Sequence, residues 1–326
     1  MKVSVTIPAY NCAATIRATL DSVLRQTSAP DEILVMNDGS TDETLAILES
    51  YKDRIKVFSQ PNRGVASARS ALVALATGDL IAFLDSDDLW HPKYLEVQRD
   101  LSQAYPKAVA FFTGHLNFHG YGDCEWDDQA VQTNHEPELM RPPRFLERYH
   151  RYPNCFASPS FCCVPKSVLR EIGEIDGAPF CAEVSGADDF YLLHMLPLLG
   201  PVAYDPSPLA AYRVTYGGLS AQRLKLTARA VRAMELVEHR YRGRPTDELS
   251  GVFSLFFASK RREYARVLMG AGETHDARKQ LRRSLRNASN PSSFAKSLVW
   301  LFLTYVPGPL QPTWPMPYYQ SRESAH

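Results

Sequence analysis

The sequence lacks the glycine-rich phosphate motifs of two large enzyme classes. No GxGxxG follows the first predicted strand, and no GxxxxGK(S/T) occurs anywhere in the 326 residues. These absences argue against a nicotinamide-dependent dehydrogenase and against a P-loop ATPase. A nucleotide site in this chain would therefore have to hold its phosphates by other means, such as a metal ion.

Cysteine and long apolar runs are also scarce. The six cysteines show no CxxC spacing, which argues against a structural zinc site and a disulfide framework and favours a reducing cytoplasm. The longest apolar run, at residues 298–306, falls well short of the ~20 residues that span a bilayer. The apolar stretch that follows Met1 and Lys2 is too short for a signal peptide. We therefore expect a cytoplasmic protein.

Neither sign of charge is in excess over the whole chain. Lys and Arg together number 36, as do Asp and Glu, which argues against a nucleic-acid partner. The balance hides an asymmetry, because the net charge is −10 over residues 1–220 and +10 over residues 221–326. We predict that these two parts meet different partners.

Strands alternate with helices in the first 110 residues. A β-branched strand at 3–7 ends at Pro8 and precedes a helix at 16–24. Ser40 and Glu43 form a capping-box pattern that predicts the start of a second helix. Further strands are predicted at 32–36, 55–58 and 80–84, and a further helix at 65–76. This order predicts an α/β fold, a mostly parallel sheet flanked by helices, with ligands bound beyond the carboxyl ends of the strands.

The rest of the chain is predicted to be less regular and then helical. We interpret residues 114–159 as an irregular insertion, followed by helices at 166–172 and 189–199 and a late strand at 209–214. After residue 220 the pattern predicts helices at 222–241, 248–271, 275–288 and 292–305. The C-terminal part is therefore an α-helical extension.

Three carboxylates follow the predicted strand at 80–84. Asp85, Asp87 and Asp88 lie within four residues and repel one another unless a cation sits among them. Mg²⁺ and Mn²⁺ are usually held by one or two carboxylates plus substrate phosphate oxygens, so the cluster suits a metal-bound diphosphate. The alternative is a solvated acidic turn before a helix that starts at Pro92.

Several short motifs stand in a fixed order along the first 220 residues. They are IPAYN at 7–11, NDGSTD at 37–42, NRG at 62–64 with AR at 68–69, FLDSDD at 83–88, IG at 172–173, DD at 188–189 and YR at 212–213. In order and spacing they resemble glycosyltransferase family 2, of the GT-A fold. The resemblance implies a GT-A domain at 1–220, with a donor half at about 1–110 and an acceptor half at about 111–220. The helical pattern and the charge count predict a separate, basic α-helical region at 221–326.

The resemblance implies an inverting transferase that moves a sugar from a nucleotide-diphosphate donor, most commonly a UDP-sugar, to an acceptor hydroxyl in glycan assembly. Asp38 would accept a hydrogen bond from the base, Asp85 would hold the ribose, and Asp87, supported by Asp88, would coordinate Mn²⁺ or Mg²⁺. The implied donor-nucleotide residues are Pro8, Ala9, Tyr10, Asn11, Asp38, Arg69, Asp85, Ser86 and Arg213. Two of these residues have a purely structural alternative: Asp38 as a turn residue and Arg69 as a cover of an exposed helix face.

Inverting displacement needs one general base near the acceptor oxygen. The resemblance assigns this role to Asp189, with Asp188 as a like-charge neighbour that raises its pKa, whereas helix capping is the alternative for both. Two positions depart from the family pattern: Ser70 stands where Asn is common, and Thr215 where His is common. Two interpretations stay open: Arg213, Tyr216 or Ser220 replaces that His, or the metal is bound more weakly.

Some polar and aromatic residues carry weaker signals. His115, His119, His135 and His150 are read as acceptor contacts or plain surface, and Trp126, beside Glu125, Asp127 and Asp128, as a stacking platform for a sugar acceptor. Two other functions stay open: a catalytically weak nucleotide-sugar binding module, and a sugar nucleotidyltransferase. The second would need a basic, glycine-rich loop where residues 8–11 stand.

Basic clusters at 260–262 and 282–286 precede the apolar run at 298–306. A basic surface beside a short aromatic and apolar segment is typical of an interfacial anchor on an anionic leaflet. We therefore predict peripheral contact with the inner face of a cell membrane, near a lipid-linked glycan acceptor. The alternatives are a solvated helical face and a buried helix that closes the core.

Overall fold

The computed structural model describes residues 1–126, 131, 136–151, 158–176, 178–214, 223–241 and 247–306. The chain divides into two compact units, residues 1–253 and residues 254–326. The first unit therefore extends past residue 220, and the functional boundary expected there stays a prediction.

The described part of the first unit contains one nine-stranded, mixed sheet. Its strand order is β3-β2-β1-β4-β8-β6-β9-β5, and β7 also pairs with β9. The neighbours β3, β2, β1 and β4 are parallel, whereas β8 runs antiparallel to both β4 and β6. The strands are β1 Val3–Ala9, β2 Glu32–Asn37, β3 Lys56–Ser59, β4 Leu80–Phe83, β5 Leu89–Trp90, β6 Ala110–Phe118, β7 Glu138–Met140, β8 Cys162–Pro165 and β9 Val202–Arg213.

Helices flank this sheet and, in the C-terminal part of the chain, follow one another closely. All seven residues of β1 are buried, as expected for a central strand covered on both faces. The helices are α1 Ile16–Leu24, α2 Thr44–Glu49, α3 Val65–Leu75, α4 Tyr94–Ala104, α5 Pro142–Arg151, α6 Lys166–Asp176, α7 Asp188–Met195, α8 Arg223–Tyr241, α9 Asp247–Gly270, α10 Thr274–Asn287 and α11 Pro291–Leu303. The predicted α/β class and the C-terminal helices are confirmed.

Two local predictions near the N-terminus are wrong. Strand β1 continues through Pro8, which pairs with Met36 of β2 beyond the last β1–β4 pair, Thr6 with Phe83. Thr6 accepts the Leu84 N–H, so Pro8, two residues further on, also faces the β4 side, where the strand pairing has already ended. The missing N–H of Pro8 therefore costs the sheet no hydrogen bond of the β1–β4 ladder. Ser40 does not cap α2, because its hydroxyl accepts the Asn11 N–H at 3.1 Å instead.

The segment predicted to be an irregular insertion contributes regular structure. Strand β6 runs on from Ala110 to Phe118, and β7 and α5 follow within residues 138–151. Strand β8 was not predicted, although it lies buried between β4 and β6. Strand β9 begins at Val202, seven residues before the predicted start at 209.

Candidate functional site

Three loops meet at the carboxyl ends of the parallel strands. Ala9 at the end of β1 pairs with Asn37 at the end of β2, and Thr6 of β1 pairs with Phe83 at the end of β4. The polar segments that follow these strands therefore share one edge of the sheet. Pro8 and Ala9 themselves are buried in β1, whereas Tyr10 is 49% exposed.

Asn11 and Asp42 join the first two loops. Asn11 has a φ of +47°, a left-handed conformation that Asn tolerates better than most residues, and its Oδ1 accepts the Thr41 N–H at 2.8 Å. Asp42 accepts the Ala13 N–H at 3.1 Å and the Thr44 N–H at 3.0 Å. The loops after β1 and β2 are thus bonded directly to each other.

Asp38 is buried and holds the segment that leads into α3. Its carboxylate accepts the Gln60 Nε2–H at 2.7 Å, the Arg63 N–H at 2.9 Å and the Gly64 N–H at 2.8 Å. Gly64 has a φ of +85°, and a Cβ there would lie 2.7 Å from the Ser185 hydroxyl. Asp38 therefore organises this loop, and its contact with a nucleotide base stays a prediction.

The acidic loop after β4 is held by serines from the segment that leads into β8. The Ser160 hydroxyl accepts the Asp85 N–H at 2.9 Å, and the Ser158 hydroxyl donates to Asp85 Oδ2 at 3.1 Å. Ser158 also lies 3.4 Å from Asp88 Oδ2. Both serines were missed by sequence reasoning, because they lie some 70 residues away in a segment without periodicity.

Helix α1 fixes the same loop from another side. The carbonyl of Ser86 accepts hydrogen bonds from the hydroxyls of Thr15 at 2.8 Å and Thr19 at 3.1 Å, and the Asp88 carbonyl accepts from Thr19 at 3.0 Å. The backbone of the acidic loop is thus held by α1, and contact of Ser86 with a donor nucleotide stays a prediction.

Arg213, at the end of β9, is 2% exposed and supports the acidic loop. Its N–H bonds Asp88 Oδ1 at 3.0 Å, and its Nε bonds the Asp87 carbonyl at 2.6 Å. Its terminal nitrogens donate to the carbonyls of Gly120 and Gly122. The guanidinium therefore already has backbone partners, and its expected contact with the diphosphate stays a prediction.

Arg69 connects the acidic loop to the carboxylate pair that begins α7. Its Nη1 lies 2.6 Å from Asp188 Oδ2, and its Nη2 bonds Asp85 Oδ1. The side chains of Arg69 and Asp188 are 6% and 1% exposed, so this ion pair is buried. The Asp188 carboxylate also accepts the Gly186 N–H at 2.8 Å. Asp85 and Asp188, predicted for two different roles, are thus bridged by one side chain.

Burial and like charge perturb the carboxylates of this region. Burial, followed by the charge of Asp188, raises the pKa of Asp189 to about 7, against the opposing effect of Arg69. Burial, followed by the charge of Asp85, raises the pKa of Asp87 to about 6. Burial and the neighbouring carboxylates also raise the pKa of Asp88 well above its usual range. Of these three carboxylates, Asp87 and Asp189 are only partly buried, so they can face a ligand.

Within the residues that the structure describes, no group of three or more His, Cys, Asp or Glu side chains is arranged to hold a metal ion. Asp87 is half-buried, whereas Asp88 is 1% exposed and bonded to Arg213 and Ser158. The expected metal role of Asp87 and Asp88 stays a prediction.

The histidines and Trp126, suggested as acceptor contacts, mostly pack against other side chains of the protein. The His115 ring stacks on Phe161 at 4.1 Å, and burial lowers the pKa of this imidazole to about 4. Trp126 contacts His91 edge-on at 5.2 Å, and His150 Nε2 lies 3.3 Å from His194 Nε2, while His119 is exposed. Sugar contacts by these side chains stay predictions. Asp127, Asp128, His135, Thr215, Tyr216 and Ser220 lie outside the described residues.

The sequence and the fold of this chain are both similar to those of known proteins. The family model described as "Glycosyl transferase family 2" matches residues 4–173. An uncharacterized glycosyltransferase of Nostoc sp. is 30% identical over 66% of this chain and 65% of its own length. The E. coli protein named UDP-Glc:alpha-D-GlcNAc-diphosphoundecaprenol beta-1,3-glucosyltransferase WfgD is 41% identical over 35% of this chain and 45% of its own. The matches thus cover less than two thirds of these relatives.

A solved structure confirms the fold over nearly the whole chain. TarS of S. aureus superposes with a TM-score of 0.68 at 18% identity, covering 93% of this chain and 90% of that one. The same protein was also solved in complex with UDP-GlcNAc. At this identity the likeness establishes the GT-A architecture and nothing about the ligand of this chain.

Proposed function

The chain belongs to glycosyltransferase family 2, and from that premise we propose that it moves one sugar from a UDP-sugar to an acceptor hydroxyl with inversion at the anomeric carbon. The observation that carries the proposal is the Arg69 bridge, which ties the acidic loop after β4 to the carboxylates that begin α7. A donor-side group and a candidate base are thereby held in one rigid arrangement.

In the proposed reaction, Asp189 takes the proton of the acceptor hydroxyl. The acceptor oxygen then attacks the anomeric carbon as the bond to the diphosphate breaks. A general base works best when its pKa lies near the working pH, and the pKa of Asp189 is raised to about 7. Asp188 is held by Arg69 and the Gly186 N–H, so its role is to position the start of α7 and to raise the pKa of its neighbour.

The residues at the end of β4 fit a hard divalent cation. Asp85 and Asp87 offer oxygen donors, and the pKa of Asp87 is raised by burial and by the charge of Asp85, which a cation would counteract. We assign the metal contact to Asp87 and the supporting position to Asp88, whose carboxylate bonds the Arg213 N–H. When bound, Mn²⁺ or Mg²⁺ would neutralise charge on the leaving diphosphate.

The donor and acceptor are inferred from the relatives. WfgD is named for UDP-Glc and for a diphosphoundecaprenol-linked acceptor, and TarS was solved with UDP-GlcNAc. We therefore propose a UDP-sugar donor and a lipid-linked glycan acceptor in bacterial surface-glycan assembly. A cytoplasmic location is part of the same proposal.

The decisive experiment is a transfer assay over a panel of UDP-sugars, with Mn²⁺, Mg²⁺ or a chelator, and with the product's anomeric configuration read by NMR. Asp189→Asn should keep UDP binding and lose transfer by roughly 10²- to 10⁴-fold, as expected for loss of a general base. The matched control is Asp53→Asn, the same substitution at an exposed aspartate to which no role in the site is assigned. Retained configuration would refute inversion, and full turnover in Asp189→Asn would move the base elsewhere.

The second candidate function, a catalytically weak nucleotide-sugar binding module, is not favoured by the departure at Ser70. The Ser70 hydroxyl donates to the Phe180 carbonyl at 3.1 Å and accepts the Phe180 N–H at 3.3 Å. The departure from the family Asn thus has a structural role between α3 and the segment before α7. UDP binding without transfer to any acceptor would favour this second function.

A further inference from the structure

Helix α11 exposes a row of large apolar side chains, although its Trp300 and Leu301 pack against a small apolar cluster of α9 and α10. Its buried positions include Ser293, Ser297 and, just past its end, Thr304, each 5% exposed or less. Five large apolar or aromatic side chains on or directly after α11 are instead between 47% and 70% exposed: Phe294, Leu298, Val299, Phe302 and Tyr305. A soluble helix normally buries its apolar face, so within the described part of the chain this row is left largely uncovered.

The buried hydroxyls fix α11 in this orientation. Ser297 shares a 2.8 Å hydrogen bond with Ser284 of α10, whose hydroxyl also donates to the Ala258 carbonyl at 2.7 Å. Arg262 Nη1 lies 3.0 Å from the Ser293 hydroxyl and 3.1 Å from that of Ser297. Rotating α11 to bury its apolar face would break this network and bury unpaired polar groups. The apolar face is therefore directed outward by specific contacts.

Helix α10 places a cationic face beside this apolar one. A pocket of about 340 Å³ is lined by His275, Arg278, Lys279, Arg282, Arg283, Arg286 and Tyr305. Helix α10 supplies all five Arg and Lys side chains of this pocket, and it carries one carboxylate, Asp276. Among the described residues, no carboxylate forms an ion pair with Lys279, Arg282 or Arg286. Such a pocket is suited to phosphate groups.

Tyr305 joins the cationic and apolar faces. The Arg278 guanidinium lies 4.0 Å from the centre of its ring, and Arg282 Nη2 lies 3.4 Å from its hydroxyl. Its ring is 57% exposed and continues the apolar row of α11. An aromatic side chain with a polar tip, placed between charge and apolar surface, is typical of a membrane interface.

We propose that α10 and α11 together dock the protein on an anionic lipid leaflet. The α10–α11 face, defined by the seven pocket residues and the exposed row of α11, would place lipid phosphates in the pocket and the apolar row among the upper acyl chains. Helix α11 has 13 residues and is about 20 Å long, so it would lie in the plane of the interface. Among the described helices, none is long and apolar enough to cross a membrane.

A lipid surface accounts for both halves of the face at once. A protein partner would explain the apolar row, and a free phosphate would explain the pocket, but an anionic bilayer offers fixed negative charge directly above an apolar layer. The inference does not depend on the proposed transfer reaction. Vesicle binding can fail while transfer to a soluble acceptor succeeds, and the reverse also holds.

The test is flotation of the full chain with vesicles that contain phosphatidylglycerol, or phosphatidylcholine alone. We expect binding only to the anionic vesicles, with release as ionic strength rises. Arg282→Gln with Arg286→Gln should weaken binding roughly 10- to 30-fold, the effect of removing two surface cations. Leu298→Ser with Phe302→Ser should abolish stable binding while keeping the thermal midpoint, because both side chains are exposed.

Matched controls come from the first unit. Leu75→Ser with Leu224→Ser changes two leucines that are each 42% exposed, and Lys52→Gln with Lys107→Gln removes two exposed cations. Both controls should bind vesicles as the wild type does. Equal losses in the controls and the α10–α11 variants would overturn the proposal, since net charge and hydrophobicity would then suffice.

Three further results would overturn it. Absence of binding to anionic vesicles at low salt would exclude lipid docking. Calorimetric binding of inorganic phosphate without vesicle binding would make the pocket a free-anion site. A dimer detected by light scattering, converted to monomer by Leu298→Ser with Phe302→Ser, together with a lack of vesicle binding, would show that a second copy covers the face.

Discussion

Replacing Arg69 should lower the free energy of unfolding and also shift the pH dependence of the transfer rate. Arg69→Met keeps the aliphatic stem but leaves two carboxylates, Asp85 and Asp188, without their shared cation. Removing one partner of a buried ion pair costs about 3–5 kcal/mol, because an uncompensated charge stays behind. Asp188 is 1% exposed, so water cannot replace the lost partner there, whereas Asp85 is 25% exposed and can be partly hydrated. A loss of about 3–5 kcal/mol is a large part of the 5–15 kcal/mol that stabilises a typical domain.

The pH dependence of this loss separates electrostatics from packing. Arg69 lowers the pKa of the neighbouring Asp189, so without Arg69 this carboxylate takes up its proton at higher pH and the folded variant binds more protons than the folded wild type. The stability difference should therefore be largest at pH 8 and smaller at pH 5. A loss caused by packing alone would be the same at both values.

Catalysis supplies a second readout for the same variant. Arg69 opposes the rise in the pKa of Asp189, which burial and Asp188 nevertheless raise to about 7. Without Arg69 this pKa should rise further, so the acid limb of the transfer rate should move to higher pH. Arg69→Lys, which keeps the charge but cannot form the same two-armed bridge, should shift the limb less.

Urea titrations at pH 5 and pH 8 measure the stability change, and transfer rates between pH 5 and pH 9 measure the shift of the limb. The matched control is Arg25→Met, which removes an exposed ion pair with Asp123 at 2.9 Å, 50% and 56% exposed, and should cost about 0–1 kcal/mol. If Arg69→Met cost no more than Arg25→Met, or if its cost were independent of pH, the electrostatic argument would be refuted.

Three other substitutions test the remaining parts of the site. Asp189→Asn should stabilise the fold by up to about 4 kcal/mol at pH 8 and by almost nothing at pH 4, because the raised folded-state pKa makes the wild type lose stability as the pH rises from about 4 through about 7; urea titrations check the sign. Asp87→Asn should remove the Mn²⁺-dependent part of UDP affinity while the fold is kept, and unchanged affinity in calorimetry would contradict the metal assignment. Gly64→Ala should cost about 1–3 kcal/mol in thermal unfolding, since its φ is +85° and the added Cβ would meet Ser185, whereas Gly122→Ala, with no atom within 4 Å, should cost less than 1 kcal/mol.

The sequence predicted those parts of the site that follow a strong local pattern. The acidic loop was found because its carboxylates follow a buried strand directly, and the parallel arrangement of β1, β2 and β4 then placed three loops at one edge. Ser158 and Ser160 escaped detection because their partners, Asp85 and Asp88, lie about 70 residues earlier in the chain. No periodicity records a contact of that separation.

Two other features were not predicted correctly from the sequence: strand β8 and the hydrogen bond of the Ser40 hydroxyl. Strand β8 has four residues, two of them cysteines, and ends at Pro165, so it carries neither alternation nor a long apolar run. The Ser40 and Glu43 pattern predicts a capping box, but the Ser40 hydroxyl bonds the neighbouring loop at Asn11. In both cases a contact with a distant part of the chain decides the local structure.

The three carboxylates of the acidic loop show why a cluster of like charge can fold. Asp85 is paired with Arg69, and Asp88 is buried but accepts the Arg213 N–H at 3.0 Å. Asp87 is the half-buried member, and its pKa is raised to about 6 by burial and by the charge of Asp85. The pKa of Asp88 nevertheless stays raised well above its usual range, so the electrostatic cost that remains falls on Asp88 and Asp87. Of these two, Asp87 is the half-buried one and can face a ligand. A cation that arrives with a diphosphate would relieve that cost, so donor binding and metal binding should strengthen each other at this one residue.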